Sequence, residues 1–166
     1  SLAFNLEKGA GSLYRIDLNG KSRVMETGLT LPNGLGWSAD NRTMYLVDTA
    51  DRVVYAYDFD QKSGQIADRV ELIKFDGNFV GSPDGMDVDE DGNLWIAMWD
   101  GWCVRKYSPA GELLAEFSVP FPRPTSCLCA SDAGRRVIVT SARIRVTQDL
   151  LQNHPLAGSV ISIPMP

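Results

Sequence analysis

Apolar residues alternate with polar ones in short runs along the whole chain. The runs come in pairs joined by Gly, Asn or Asp. "GSLYRIDLNGKSRVMETG" (11–28), "DRVVYAYDFDQKSGQIADRVELI" (51–73) and "GWCVRKYSPAGELLAEFSV" (101–119) each read as an alternating strand, a Gly-containing turn and a second strand. The terminal "GSVISIPMP" (158–166) has the first strand and no second. A different pattern fills the intervals, in "PNGLGWSADNRTMYLVD" (32–48), "PDGMDVDEDGNLWIAMW" (83–99) and "PTSCLCASDAGRRVIVTS" (124–141). Each begins with Pro and a small or polar pair. Each has an Asp eight residues after the Pro (Asp40, Asp91, Asp132), then a turn and a β-rich run. The prolines lie 51 and then 41 residues apart. Repeats of roughly 40–50 residues built from short strands are the signature of a β-propeller blade. The pattern therefore predicts an all-β chain of antiparallel four-stranded units, with three inner hairpins and three complete outer ones. No helix longer than a turn or two is expected, except near 147–153.

The densest acidic stretch is "PDGMDVDEDGN" (83–93). Asp87, Asp89, Asp91 and Gly92 match the opening of a helical calcium loop, whose twelfth position must be a bidentate Glu. That position is Met98, inside a strand-like run. The repeat gives the simpler explanation. "DEDGN" aligns with "ADNR" and "SDAGR", so Asp89 and Asp91 belong to a hairpin turn in which Gly or Asn supplies positive φ.

Composition narrows the picture. A chain of 166 residues with 44% hydrophobic residues can bury a real core. It has no apolar run long enough for a membrane span, and residues 1–10 lack the layout of a signal peptide. A net charge of −5 with interspersed signs argues against a nucleic-acid partner. Cys127 and Cys129 lie two apart on a strand, facing one side. They read as buried thiols of a reducing compartment, and the cytoplasm is the expected location. At this repeat length the chain holds about three and a half blades, whereas a closed ring usually takes four or more. The expectation is one partial propeller over residues 1–166, the C-terminal part of a longer domain. Its remaining blades would come from an N-terminal part or another chain.

"GSLYRID", "GLTLPNGLGWSADNRTMYLVDT", "YDFDQKSGQI", "SPDGMDVDEDGNLWIAMWDGWCVRKYSPAGE" and "PTSCLCASD" resemble the gluconolactonase/regucalcin (senescence marker protein) family. The resemblance covers almost the whole chain and is densest over residues 30–130. It implies a six-bladed propeller, metal-dependent hydrolysis of a sugar lactone, and one divalent cation (Ca, Zn, Mn or Mg) at one end of the central channel. It further implies that Asn33, of the "NG" motif, and Asp84, of the "PDG" motif, are metal ligands, and that Asp84 is also the catalytic residue. The family's third ligand, a Glu, would belong to blades this chain does not contain, as would its sugar-contacting Arg and Asn. A further Glu of the sugar pocket falls at or before Ser1, and Glu7 is no substitute for it. Asn33 and Asp84 occupy equivalent positions in two repeats, and equivalent positions in a propeller converge on the channel. An amide oxygen and a carboxylate there suit a hard cation. Spacing alone leaves ordinary turn chemistry open for Asn33-Gly34 and Asp84-Gly85. The third pair, Thr125 and Ser126, would line the channel without charge.

Other candidates read as structural. His154 precedes Pro155 in a polar connection, with no Ser–His–Asp arrangement around it. Gly9 and Gly11 lack the strand–helix context of a nucleotide loop. Trp95 and Trp99 share one strand face, with Trp102 just beyond, and read as core or channel wall. The alternative to a lactonase is a non-catalytic propeller that binds calcium or serves as an interaction scaffold.

Overall fold

A computed structural model of the chain describes residues 7–131 and 134–165. The strands are β1 (Gly11–Ile16), β2 (Ser22–Leu29), β3 (Pro32–Trp37), β4 (Thr43–Asp48), β5 (Val53–Asp60), β6 (Gln65–Lys74), β7 (Ser82–Val88), β8 (Leu94–Trp99), β9 (Cys103–Tyr107), β10 (Leu113–Ser118), β11 (Pro124–Ala130), β12 (Arg136–Ser141) and β13 (Val160–Pro164), with one short helix, α1 (Gln148–Asn153), before the last strand. They form four antiparallel sheets in chain order: β1-β2, β3-β4-β5-β6, β7-β8-β9-β10 and β11-β12-β13. This is the expected all-β partial propeller, with inner hairpins β3-β4, β7-β8 and β11-β12. The one helix among the described residues falls inside the 147–153 window. Asp132, the last Asp of the repeat, lies outside the described residues. Among the described residues, no helix is long and apolar enough to cross a membrane.

Stacking of blades explains why the middle strands are apolar on both faces. In β4, Met44 and Leu46 pack toward the β1-β2 side with Leu29, Val53, Tyr55 and Tyr57, while Tyr45 and Val47 point the other way. There they meet Met86, Leu94, Ile96 and Met98 of the next blade. In β8 the alternation repeats: Leu94, Ile96 and Met98 face backward, whereas Trp95 faces forward onto Cys127, Val137 and Val139. A strand covered on both sides gains nothing from a polar face. The outer strands β6 and β10 are covered less and keep mixed, mostly exposed patterns.

The hairpin turns use the expected backbone. Asn41 has φ +55° and Gly92 has φ +83°. In the β7-β8 turn, Asp89 N–H donates to Asn93 O at 2.9 Å, and Gly92 N–H donates to Asp89 O at 2.9 Å. Asp89 and Asp91 thus lie in a hairpin turn, as the repeat predicts. Asp89 is more than a turn residue, however, because it is only 4% exposed. Its carboxylate accepts from Trp95 Nε1 at 2.9 Å and Asn93 N at 2.8 Å, and it pairs with Lys106 Nζ at 3.1 Å. Burial pushes the Asp89 carboxyl up, but these hydrogen bonds outweigh it and hold its pKa below the usual range. Asp91 instead reaches sideways to Arg135 at 2.6 Å.

Candidate metal and catalytic site

The three inner strands begin alike. Two ladders start at the Pro, opposite the end of the next strand (Pro32 with Asp48, Pro124 with Ser141), and the other starts one residue earlier, Ser82 with Trp99 and then Pro83 with Met98. Each then breaks register, between Pro32 and Leu35, Pro83 and Met86, and Pro124 and Ser126. A bulge re-aims the side chains of the residues it contains, and bulges are enriched beside active sites. Asn33, Asp84 and Thr125 occupy these three irregularities.

Gly34 and Gly85 let the strands come close. A Cβ on Gly34 would lie 2.7 Å from both Asp84 O and Met86 N of the next blade, and one on Gly85 would lie 2.7 Å from Thr125 O. Both glycines sit inside strands, and neither has positive φ. Turn chemistry, left open by the spacing, therefore does not apply. The glycines serve the close approach of neighbouring inner strands.

That approach joins the two predicted residues. Asn33 Nδ2 donates to Asp84 Oδ1 across the blade boundary, and also to Thr49 Oγ1 at 3.3 Å. Asp84 is 9% exposed and Asn33 is exposed. No Lys, Arg or His forms an ion pair with Asp84 among the described residues. Burial pushes its carboxyl up to about 6, and the Asn33 hydrogen bond only partly opposes this. A buried carboxylate without a cation is a costly arrangement, and a bound cation relieves it. The donor set fits a hard divalent ion. Among the described residues no group of three or more His, Cys, Asp or Glu could hold a metal, so Asn33 and Asp84 are at most part of a site.

The raised value has a stability consequence with a definite sign. In the metal-free protein Asp84 takes up a proton on folding between about pH 4 and 6. Its contribution is therefore fully present below about pH 4 and is lost as pH rises through about 6. Asp84→Asn should stabilise the metal-free intact protein at pH 8 by roughly 3 kcal/mol, and the difference should vanish near pH 4. Urea midpoints at the two pH values check this. A wild type more stable than the variant at pH 8 would mean that a basic group already balances Asp84.

The remaining candidates settle as structural. Thr125 Oγ1 and Thr140 Oγ1 share a hydrogen bond at 2.7 Å, and Ser126 packs under Gly85. His154 is the C-cap of α1, and its ring meets Trp102 edge-on with centroids 4.6 Å apart. Trp95 is fully buried and stacks on Phe117, while Trp99 lies under the Arg123 guanidinium. Cys103 and Cys127 are buried and Cys129 is partly so, and burial pushes all three thiols up. Glu7 O accepts from Ala10 N at 3.2 Å in a turn before β1.

Sequence reasoning missed the residues that support the pair. Asp48, fully buried, accepts from Thr30 N at 2.7 Å and Leu31 N at 2.8 Å, which fixes the chain just ahead of Pro32. Thr49 and Arg52 follow it. The polar run Asp48-Thr49-Ala50-Asp51-Arg52 directly after an inner hairpin was the available signal. A hairpin returns its second strand to the end where the first began, which here is the Asn33 end.

Comparison with known proteins gives the family. Residues 1–143 match the family described as SMP-30/Gluconolactonase/LRE-like region. The chain is 37% identical over 120 residues to pentonolactonase XacC of Haloferax volcanii, covering 72% of this chain and 41% of that protein. It is 32% identical over 159 residues to regucalcin of Oryctolagus cuniculus, covering 95% of this chain and 53% of that one. Among solved structures it resembles a calcium-binding protein, regucalcin, from Agrobacterium tumefaciens, with a TM-score of 0.89 and 29% identity over 98% of this chain and 55% of that one. The chain thus spans about half the length of the relatives it matches. With a family match over 143 residues and a fold shared at that level, the chain belongs to the SMP-30/gluconolactonase/LRE-like family.

Proposed function

We propose that the intact protein hydrolyses a sugar lactone, and that Asn33 and Asp84 of this chain hold the divalent cation, of the Ca, Zn, Mn or Mg kind, on which the reaction depends. The observation that carries this reading is the convergence of an amide and a buried carboxylate with no basic partner, across two neighbouring blades. Membership of a family whose description includes gluconolactonase supports the substrate class. A bound cation would supply charge stabilisation for the oxyanion that forms at the lactone carbonyl. Asp84 accepts the proton of the attacking water as the new carbon–oxygen bond forms. The ring ester bond then breaks, and that proton goes to the departing alkoxide, giving the open-chain hydroxy acid. Asn33 is neutral and cannot take the proton, so it positions ligand and substrate.

The remaining ligands come from outside this chain, and the rest of the propeller is its expected partner. Three unpaired thiols among the described residues favour a reducing, cytoplasmic setting. The test is acid release from aldonolactones by the intact protein before and after removal of divalent ions. Hydrolysis should stop on chelation and return on adding metal. A rate indifferent to chelation would overturn the metal dependence. Cation binding without any hydrolysis would leave the non-catalytic calcium-binding propeller.

A further inference from the structure

The geometry points to Arg52 as the positioning residue that sets Asn33 against Asp84, an inference that rests on reading those two as metal ligands. Arg52 lies in the turn between β4 and β5, on the blade of Asn33. Its own N–H donates to Thr49 O at 3.3 Å, and Thr49 Oγ1 accepts from Asn33 Nδ2 at 3.3 Å. The amide oxygen of Asn33 is thereby left free to face a cation. The Arg52 side chain crosses to the next blade. Nη1 donates to Gly81 O at 2.5 Å and Ser82 Oγ at 3.2 Å, and Nη2 donates to Asp76 O at 3.0 Å and Phe79 O at 3.1 Å. Gly81 and Ser82 directly precede Pro83-Asp84. One residue thus grips the support of the first ligand with its backbone and the approach to the second with its guanidinium.

The hydrogen bonding of the side chain sets Arg52 apart from a surface brace; its φ of +55° belongs to the turn, since Trp102 holds +59° at the matching place before β9. Its guanidinium binds three carbonyls and a hydroxyl with no carboxylate partner among the described residues, while the buried Nε is left without a hydrogen-bond partner. All four side-chain bonds go to 76–82, the connection that delivers Asp84. Residues that orient metal ligands from behind typically change metal affinity 10- to 100-fold when removed.

The test is Ca²⁺ binding by calorimetry in the intact protein, beside the unfolding midpoint of each metal-free variant. Arg52→Met should weaken Ca²⁺ binding about tenfold or more. Arg52→Lys, which keeps the charge but not the fork, should weaken it by roughly three- to tenfold. Lys106→Met removes from β9 the cation that pairs with Asp89 of the distant β7-β8 turn, so it should lower the midpoint and leave Ca²⁺ affinity within about twofold. Because the Arg52 side chain acts on the approach to Asp84, Arg52→Met should weaken binding on an Asn33→Ala background by about as much as in the wild type, and by less than about twofold on an Asp84→Ala background. An unchanged affinity in Arg52→Met would overturn the role, as would equal weakening by Lys106→Met. Should Arg52→Met fail to fold, an unchanged affinity in Arg52→Lys overturns it instead. Asp84→Asn binding Ca²⁺ like wild type would overturn the site itself, and this role with it.

Discussion

Asp84→Asn should lose about 10²–10⁴-fold in kcat at saturating metal, the span that a positioned general base contributes. The substitution keeps an oxygen that can face a cation and preserves the volume of the site. It removes the carboxylate to which Asn33 donates, and with it the acceptor for the proton of water. Asn33→Ala should behave differently. It removes a neutral ligand, so it should weaken metal binding, and excess cation should restore part of the rate. The check is lactone hydrolysis against metal concentration for both variants in the full-length protein. If excess metal rescues Asp84→Asn as fully as it rescues Asn33→Ala, Asp84 is a ligand only and the base lies elsewhere. If neither variant changes hydrolysis or metal affinity, the site is wrongly assigned.

Asp89→Ala should unfold at lower urea, by about 3 kcal/mol, because it strands Lys106 and leaves Trp95 Nε1 without its acceptor in a buried setting. Lys106 has a side chain 14% exposed, so water relieves part of the penalty and the lower end of the usual range applies. Metal affinity should stay within about threefold, an effect of roughly 0.7 kcal/mol. The two readouts separate the two meanings of the acidic stretch. A large stability loss at constant affinity belongs to a turn anchored in the core. A large affinity loss at constant stability would restore a local calcium loop at Asp87–Asp91.

The blade pattern was legible because its physics is local. Hairpin turns demand residues such as Asn41 and Gly92 at fixed places, and strands covered on both sides demand runs such as "LWIAMW". The same locality misleads at Asn33-Gly34 and Asp84-Gly85. These pairs carry turn chemistry in the sequence, yet their glycines answer to backbone atoms of the neighbouring blade. Asp89 shows the limit from the other side. Its place in a turn was readable, but its burial depends on Trp95 and Lys106, which come from two later strands. For Arg52 the sequence offered only its place in a polar run after the hairpin. Its partners are mostly carbonyl oxygens of a segment 24 to 30 residues away, and a carbonyl leaves no mark on residue type. The Asn33–Asp84 pair was readable as a candidate site only through resemblance. One Asn and one Asp, 51 residues apart, form no motif until the blades stack.

The most direct measurement is the anomalous signal of Mn²⁺ in a crystal of the intact protein. One ion is expected within about 2.0–2.6 Å of both Asn33 Oδ1 and an Asp84 carboxylate oxygen, the range of oxygen–cation contacts. A single ion elsewhere, whether beside Asp87–Asp91 or on blades this chain does not supply, with Asn33 and Asp84 bonded only to each other, would contradict the assignment.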